Sequence, residues 1–356
     1  MWQGLRDHDD VVDRFRRILA RGRLASTFLF VGPDGIGKRT FALRLAQSLL
    51  CTERDEKLLD PCGRCESCVQ ALAGTHPDIL RVEKPKEKSE LPVALFIGSQ
   101  EKRMQEGLCH DLALKPFFGR RRVAVIDDAD FLNEEGANAL LKTLEEPPPK
   151  SLLILVGTSI ERQLPTIRSR CQIVRFAPLA AETIADLLIA EGTTTDRAMA
   201  ARLAAWSDGS LAKARDLADP ELWKFRQVLL NRLAEADLDS VRFAEAIGKF
   251  VDEAGTDAFR RRNRLRQVIG FAAEFYRQLA RTLSGAPAQG DAETQQAVEQ
   301  ALRHFPGDAE LAADRLDRCL EALGHVDRNA NQAALISAWV DDLVWRDVAL
   351  GAAGKR

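Results

Sequence analysis

Between residues 28 and 50 the chain passes from an apolar run, Phe28-Leu29-Phe30-Val31, through the turn Gly32-Pro33-Asp34-Gly35-Ile36-Gly37-Lys38. It then enters a segment with Phe41, Leu45 and Leu49 at helical spacing. An uninterrupted apolar run closed by glycine predicts a strand buried on both faces. The glycines let backbone N–H groups turn towards a phosphate, and the helix start adds partial positive charge. Lys38 stands where an ammonium would meet the β and γ phosphates of a nucleotide.

The same grammar recurs. A second apolar run at 123–126 ends in Asp127-Asp128, and a helix over 133–146 stops at three prolines. A third run follows at 152–156. Buried strands separated by helices predict a doubly wound α/β domain with a parallel sheet. Beyond about Pro178 the strand signals cease. Short helices broken at Gly209-Ser210 lead into a long helical region from Pro220, interrupted by a Gly/Pro/Ala-rich loop over 284–290. The expected layout is an α/β domain over 1–178, a small helical domain over 179–219 and a larger helical domain over 220–356.

The loop departs from a hydrolytic one at two places. The residue after Lys38 is Arg39, where a hydroxyl would hold Mg²⁺; an arginine offers only donors and repels a cation. Thr40 comes one residue late, about 100° further round the helix, and is expected to face elsewhere. Asp127 stands where a metal-binding carboxylate belongs. The next residue, Asp128, is shorter than the glutamate that would polarise a water, so its carboxylate would sit about 1 Å or more back. These residues leave nucleotide binding open and argue against hydrolysis. The candidate nucleotide residues are Gly32, Gly35, Gly37, Lys38, Arg39, Thr40, Asp127 and Asp128.

Seven cysteines are present, and four of them, Cys51, Cys62, Cys65 and Cys68, lie in the single stretch LLCTERDEKLLDPCGRCESC. Thiolates two residues apart wrap one ion, and four of them close a tetrahedral site with no open position. The expectation is a structural zinc, ahead of an iron–sulfur cluster. Cys109 and Cys319 read as packed thiols.

The net charge of −2 argues against a chain that coats nucleic acid by itself. The arginine runs at 120–122 and 260–266 read as solvated faces before they read as a nucleic-acid surface. Hydrophobic residues make up 46% and charged residues 29% of the chain, without any run long enough to span a membrane. The charged start MWQGLRDHDD does not read as a signal peptide, so a cytoplasmic location is expected.

Three passages together resemble the clamp-loader branch of the AAA+ proteins. These are the cysteine insert directly after the P-loop helix, the segment Asn138-Ala139-Leu140-Leu141-Lys142-Thr143-Leu144-Glu145-Glu146-Pro147-Pro148, and the Ser169-Arg170-Cys171 motif. The resemblance covers roughly residues 25–180. It implies a subunit that works with gamma/tau and delta subunits to load the β clamp on primed DNA, as part of DNA polymerase III. It also implies that Arg170 projects as an arginine finger into a neighbour's ATP site, and that the last domain is an oligomerisation collar.

Within that branch the altered loop, His76-Pro77-Asp78 and Arg328-Asn329-Ala330-Asn331 resemble the non-motor, delta-prime kind. So does Ala212, at the place where motor subunits carry an arginine. The alternative within the branch is an ATP-hydrolysing gamma/tau kind.

Overall fold

A computed structural model describes the backbone of residues 2–85 and 87–353, with side chains described through residue 344. The chain divides into two compact units, Met1–Ala218 and Asp219–Arg356.

The first unit is built on five parallel strands: β1 (Thr27–Val31), β2 (Ile79–Val82), β3 (Arg122–Ile126), β4 (Ser151–Gly157) and β5 (Gln172–Arg175). Their spatial order is β2-β3-β4-β1-β5, with Phe28 level with Ile154 on one side and Gln172 on the other. The three central strands are the apolar runs of the sequence, and β1 and β4 are buried along their whole length. Sequence reading passes over β2 and β5. Both are edge strands that expose Arg81 and Arg175 to solvent, so neither shows a continuous apolar run.

Successive side chains of a strand point to opposite faces, and both faces are covered here. Phe28 and Phe30 meet Phe15 of α1 (Asp9–Ala20) and Phe41 of α2 (Lys38–Leu50), with Phe15–Phe28 ring centroids 5.2 Å apart and Phe30–Phe41 at 5.8 Å. Leu29 and Val31 face the other way, into a core shared with Ile126, Leu155 and Leu140. After α3 (Glu66–Ala73), the connections to β3 contain α4 (Ala94–Ile97) and α5 (Leu108–Ala113).

Helix α6 (Glu134–Glu145) starts where Asn133 accepts the Gly136 N–H at 2.8 Å, and it ends ahead of the three prolines. The short α7 (Pro165–Arg168) leads into β5. Then α8 (Ala181–Ala190), α9 (Arg197–Ala205) and α10 (Leu211–Asp216) complete this unit.

The second unit is helical throughout: α11 (Pro220–Leu233), α12 (Ser240–Asp252), α13 (Ala258–Leu283), α14 (Ala292–Ala301), α15 (Ala309–Asp327) and α16 (Gln332–Ala353). The last helix carries an apolar stripe. Ile336, Trp339, Val340 and Leu343 are buried within this unit, so they close its core; the side chain of Trp345 lies outside the described residues. At the centre Arg226 is fully buried. It is paired with Asp291 at 2.8 Å and with Glu293, and it lies over the rings of Trp223 and Phe271.

Candidate functional site

The loop at the end of β1 and the first turn of α2 line a cavity of about 400 Å³. Gly35, Gly37, Lys38, Arg39, Thr40 and Asp127 all border it, whereas Gly32 and Asp128 do not. Thr40 is a correction: it was expected to face away, yet it stands exposed at the rim. The first helical turn flanks the opening, so a single step of rotation still leaves a residue on its edge.

The loop's polar groups are already engaged with the chain itself. Lys38 is buried and its ammonium donates to the carbonyls of Gly32 at 2.7 Å and Pro33 at 2.5 Å. Burial lowers its pKa against the opposing pull of Asp34, Asp130 and Asp127. The Gly35 N–H donates to Asp34 at 2.8 Å, and the Gly35 carbonyl accepts the N–H of Leu211 at 3.1 Å. The start of α10 thus sits on the loop. A Cβ at Gly35 would lie 2.5 Å from Ala212 Cβ, at a φ of +70° that disfavours any side chain.

Arg39 is the informative departure. Its guanidinium lies between Glu83 at 2.8 Å and Asp127 at 3.3 Å. A divalent cation at this point would require an oxygen from the helix start beside the carboxylate. The chain offers a guanidinium there instead, and the charge of Asp127 is already met. Magnesium does not fit this arrangement. Asp127 and Asp128 both have raised pKa values, through burial first and then, for Asp127, through the neighbouring Asp128.

Asp128 adopts a left-handed backbone with φ +56° and its carboxylate accepts the Lys84 N–H at 3.3 Å, which turns it away from the cavity. It therefore does not stand where it could orient a water at the loop.

Sequence reading missed several residues here. Asp130 accepts from the backbone N–H and hydroxyl of Thr158 and from Gln163, which pins the end of β4. Arg6 and Glu191 also border the cavity, and Arg215 pairs there with Glu191 at 2.6 Å. The N-terminal segment and α8 reach the loop only through the fold, so no local signal marks them.

The four cysteines converge. The sulfur atoms of Cys51, Cys62, Cys65 and Cys68 all lie within 4.8 Å of one another, with Cys62 and Cys68 at 4.0 Å. That spacing suits four thiolates about 2.3 Å from a central ion. Backbone N–H groups of Cys62, Cys65 and Cys68 donate to the sulfurs of Cys51, Cys62 and Cys65 at 3.3–3.4 Å, which favours thiolates. Burial opposes this throughout: at Cys65 hydrogen bonds from Thr52 and Cys68 prevail and bring its thiol down to about 6, and Cys51 is also lowered, whereas burial pushes the thiols of Cys62 and Cys68 up. The cluster can hold a metal ion.

His76 and Asp78 tie this module to the sheet. The Asp78 N–H donates to His76 Nδ1 at 3.0 Å, so Nε2 carries the proton and donates to Ser67 Oγ at 2.9 Å. Ser67 in turn donates to the Leu50 carbonyl at 2.8 Å. Buried Asp78 accepts the N–H groups of Phe117 at 2.7 Å and Phe118 at 3.0 Å.

The arginine runs are largely internal partners and not a free basic face. Arg121 grips both oxygens of Glu56 at 2.6 and 2.9 Å, Arg264 pairs with Asp219 at 2.6 Å and Arg266 with Asp327 at 2.7 Å.

Arg170 stands apart from the cavity of its own chain. It follows α7, is 32% exposed, and lies 2.5 Å from Glu145 at the end of α6.

The family described as "DNA polymerase III, delta subunit" matches residues 7–180. The match covers just under half of the chain. Among relatives, the DNA polymerase III subunit delta′ of Pseudomonas aeruginosa is 38% identical over 151 residues, covering 42% of this chain and 43% of that one. The delta′ subunit of Bacillus subtilis is 32% identical over 199 residues, covering 56% of this chain and 55% of its own. The gamma/tau subunit of Mycobacterium tuberculosis is 38% identical over 186 residues, covering 51% of this chain and 30% of its own. The matches thus span about half the length of the delta′ relatives.

A gamma subunit-related protein of Thermotoga maritima superposes over 92% of this chain and 97% of its own, at 14% identity and a TM-score of 0.40. Among the described residues, no helix is long and apolar enough to cross a membrane.

Proposed function

We propose that this chain is the delta-prime subunit of a bacterial clamp loader. It joins gamma/tau and delta subunits in the cytoplasm in a ring-like complex that opens the β clamp and places it on primed DNA. It hydrolyses no ATP itself; it presents Arg170 to ATP held by an adjacent gamma/tau subunit. A rigid guanidinium beside a γ-phosphate senses the nucleotide and stabilises charge as it develops. Residues 179–219 serve as the lid, 220–356 as the collar, and the four cysteines hold a structural zinc.

The observation that carries this reading is the ion pair of Arg39 with Asp127 and Glu83, which fills the place a motor subunit keeps for magnesium. The test is reconstitution with gamma/tau and delta, followed by DNA-stimulated ATPase and clamp loading. Arg170→Ala should abolish turnover at one site while the complex still assembles; unchanged turnover removes the role. The identity to a gamma/tau subunit supports the second reading, a motor. Brisk magnesium-dependent phosphate release by the chain alone would establish that reading instead.

A further inference from the structure

The guanidinium of Arg170 is held within its own chain. Nε donates to Glu145 Oε1 at 2.7 Å, Nη2 approaches the same oxygen at 2.5 Å, and Nη1 donates to the Thr166 carbonyl and Ser169 Oγ, both at 3.0 Å. The backbone beneath it is fixed as well. Buried Thr27, on the central strand β1, donates its hydroxyl to the Arg170 carbonyl at 2.8 Å, and the Arg170 N–H donates to Ile167 at 3.1 Å. The base of this side chain is therefore rigid and its tip is paired.

The edge carrying Nε and Nη2 is the edge an arginine uses to grip a phosphate side-on. Here Glu145 holds it. Glu145 ends α6, with Glu146 next to it, at the pole of the helix where a negative charge is least favoured. Arg170 offsets that charge. Glu145 is 51% exposed and Arg170 32% exposed, so the pair is solvated and exchangeable, not locked.

We propose that Glu145 is a latch for Arg170. It occupies the phosphate-gripping edge while the chain is free, and it releases that edge when a nucleoside triphosphate on an adjoining subunit arrives. Two anions then compete for a single guanidinium, and the strength of the latch sets how tightly the neighbour's site holds its nucleotide. Glu145 is in this sense a positioning residue, acting only through Arg170. The inference rests on the arginine-finger reading above.

The experiment uses the full chain reconstituted with gamma/tau and delta, with KM for ATP and kcat read separately in the DNA-stimulated reaction. Glu145→Gln removes the competing charge and should lower KM about 2- to 5-fold, the range expected for an exposed pair. The difference should shrink at ~0.5 M salt, where exposed charges are screened. Glu145→Asp, which keeps the charge, should return KM towards the parent value. In an Arg170→Ala background, Glu145→Gln should change nothing.

A KM that is unchanged or raised in Glu145→Gln, while Arg170→Ala still abolishes turnover, overturns the latch and leaves the finger standing. Full turnover in Arg170→Ala removes both.

Discussion

Arg39 reaches across the mouth of the loop to within 3.3 Å of Asp127, and its other terminal nitrogen lies 2.8 Å from Glu83. One guanidinium thus ties the start of α2 to the ends of β2 and β3, at the point where a hydrolytic loop would hold a cation. Lys38 is likewise satisfied by the loop's own carbonyls. The charged groups at this pocket are thus met from within the chain.

The first prediction concerns that pair. The native chain should show no magnesium-dependent ATP hydrolysis. Removing the guanidinium and restoring the hydroxyl, in Arg39→Thr, should produce magnesium-dependent nucleotide binding. At a hundredfold excess of nucleotide over Kd this would stabilise the fold by about 2.7 kcal/mol. Thermal melts with ATP, with and without magnesium, provide the measurement; a parent protein stabilised as strongly as the variant would refute the argument.

The cysteine module should contain one zinc per chain, measurable by mass spectrometry of the native protein. Chelation should unfold the segment around Cys51 to Cys68 and make those four thiols reactive. Cys171 and Cys319 are both pushed up to about 12 by burial, so they should resist alkylation at pH 8 before and after chelation. Early labelling at Cys319 would show that the helical unit opens more readily than its packing implies.

Burial lowers the pKa of His76 from 6.5, against the opposing charge of Asp78. The folded state therefore favours neutral imidazole, and the unfolded chain binds the proton more readily. The resulting stability is complete above pH 6.5 and is lost as pH falls from there towards the lowered folded value. The slope reaches at most about 1.4 kcal/mol per pH unit. Denaturant melts between pH 7.5 and about 5.5 should show this slope in the parent, and His76→Gln should flatten it.

Arg226 neutralises Asp291 and Glu293 inside the helical unit while itself fully buried. Its guanidinium also helps to hold the Asp291 carboxyl low against the raising effect of burial, alongside the hydrogen bonds from Thr294. Arg226→Met keeps the packing volume but strands two carboxylates, and should cost about 3–5 kcal/mol. Replacing all three charged residues with apolar ones should recover much of that loss. A single variant that melts like the parent would contradict this account of the core.

Much of this protein is written locally. The apolar runs that became β1, β3 and β4, the glycine-rich turn into α2, the asparagine cap and prolines that bound α6, and the cysteine spacing each depend on neighbours within a few residues. Their outcomes therefore follow from side-chain period, backbone freedom and ligand spacing alone. The substitution of Arg39 for a hydroxyl was equally plain, because a helix start has one position beside the phosphates.

What the chain order could not reveal were choices among distant partners. Arg39 selected Glu83 and Asp127, Arg170 selected Glu145, and α10 settled on Gly35. Edge strands β2 and β5 formed from half-exposed residues, and the last helix turned its stripe into its own unit. Charge and hydrophobicity state only that a group requires a partner. Which partner it finds is decided by the packing of the sheet and helices, because only there do groups far apart in sequence come within bonding distance.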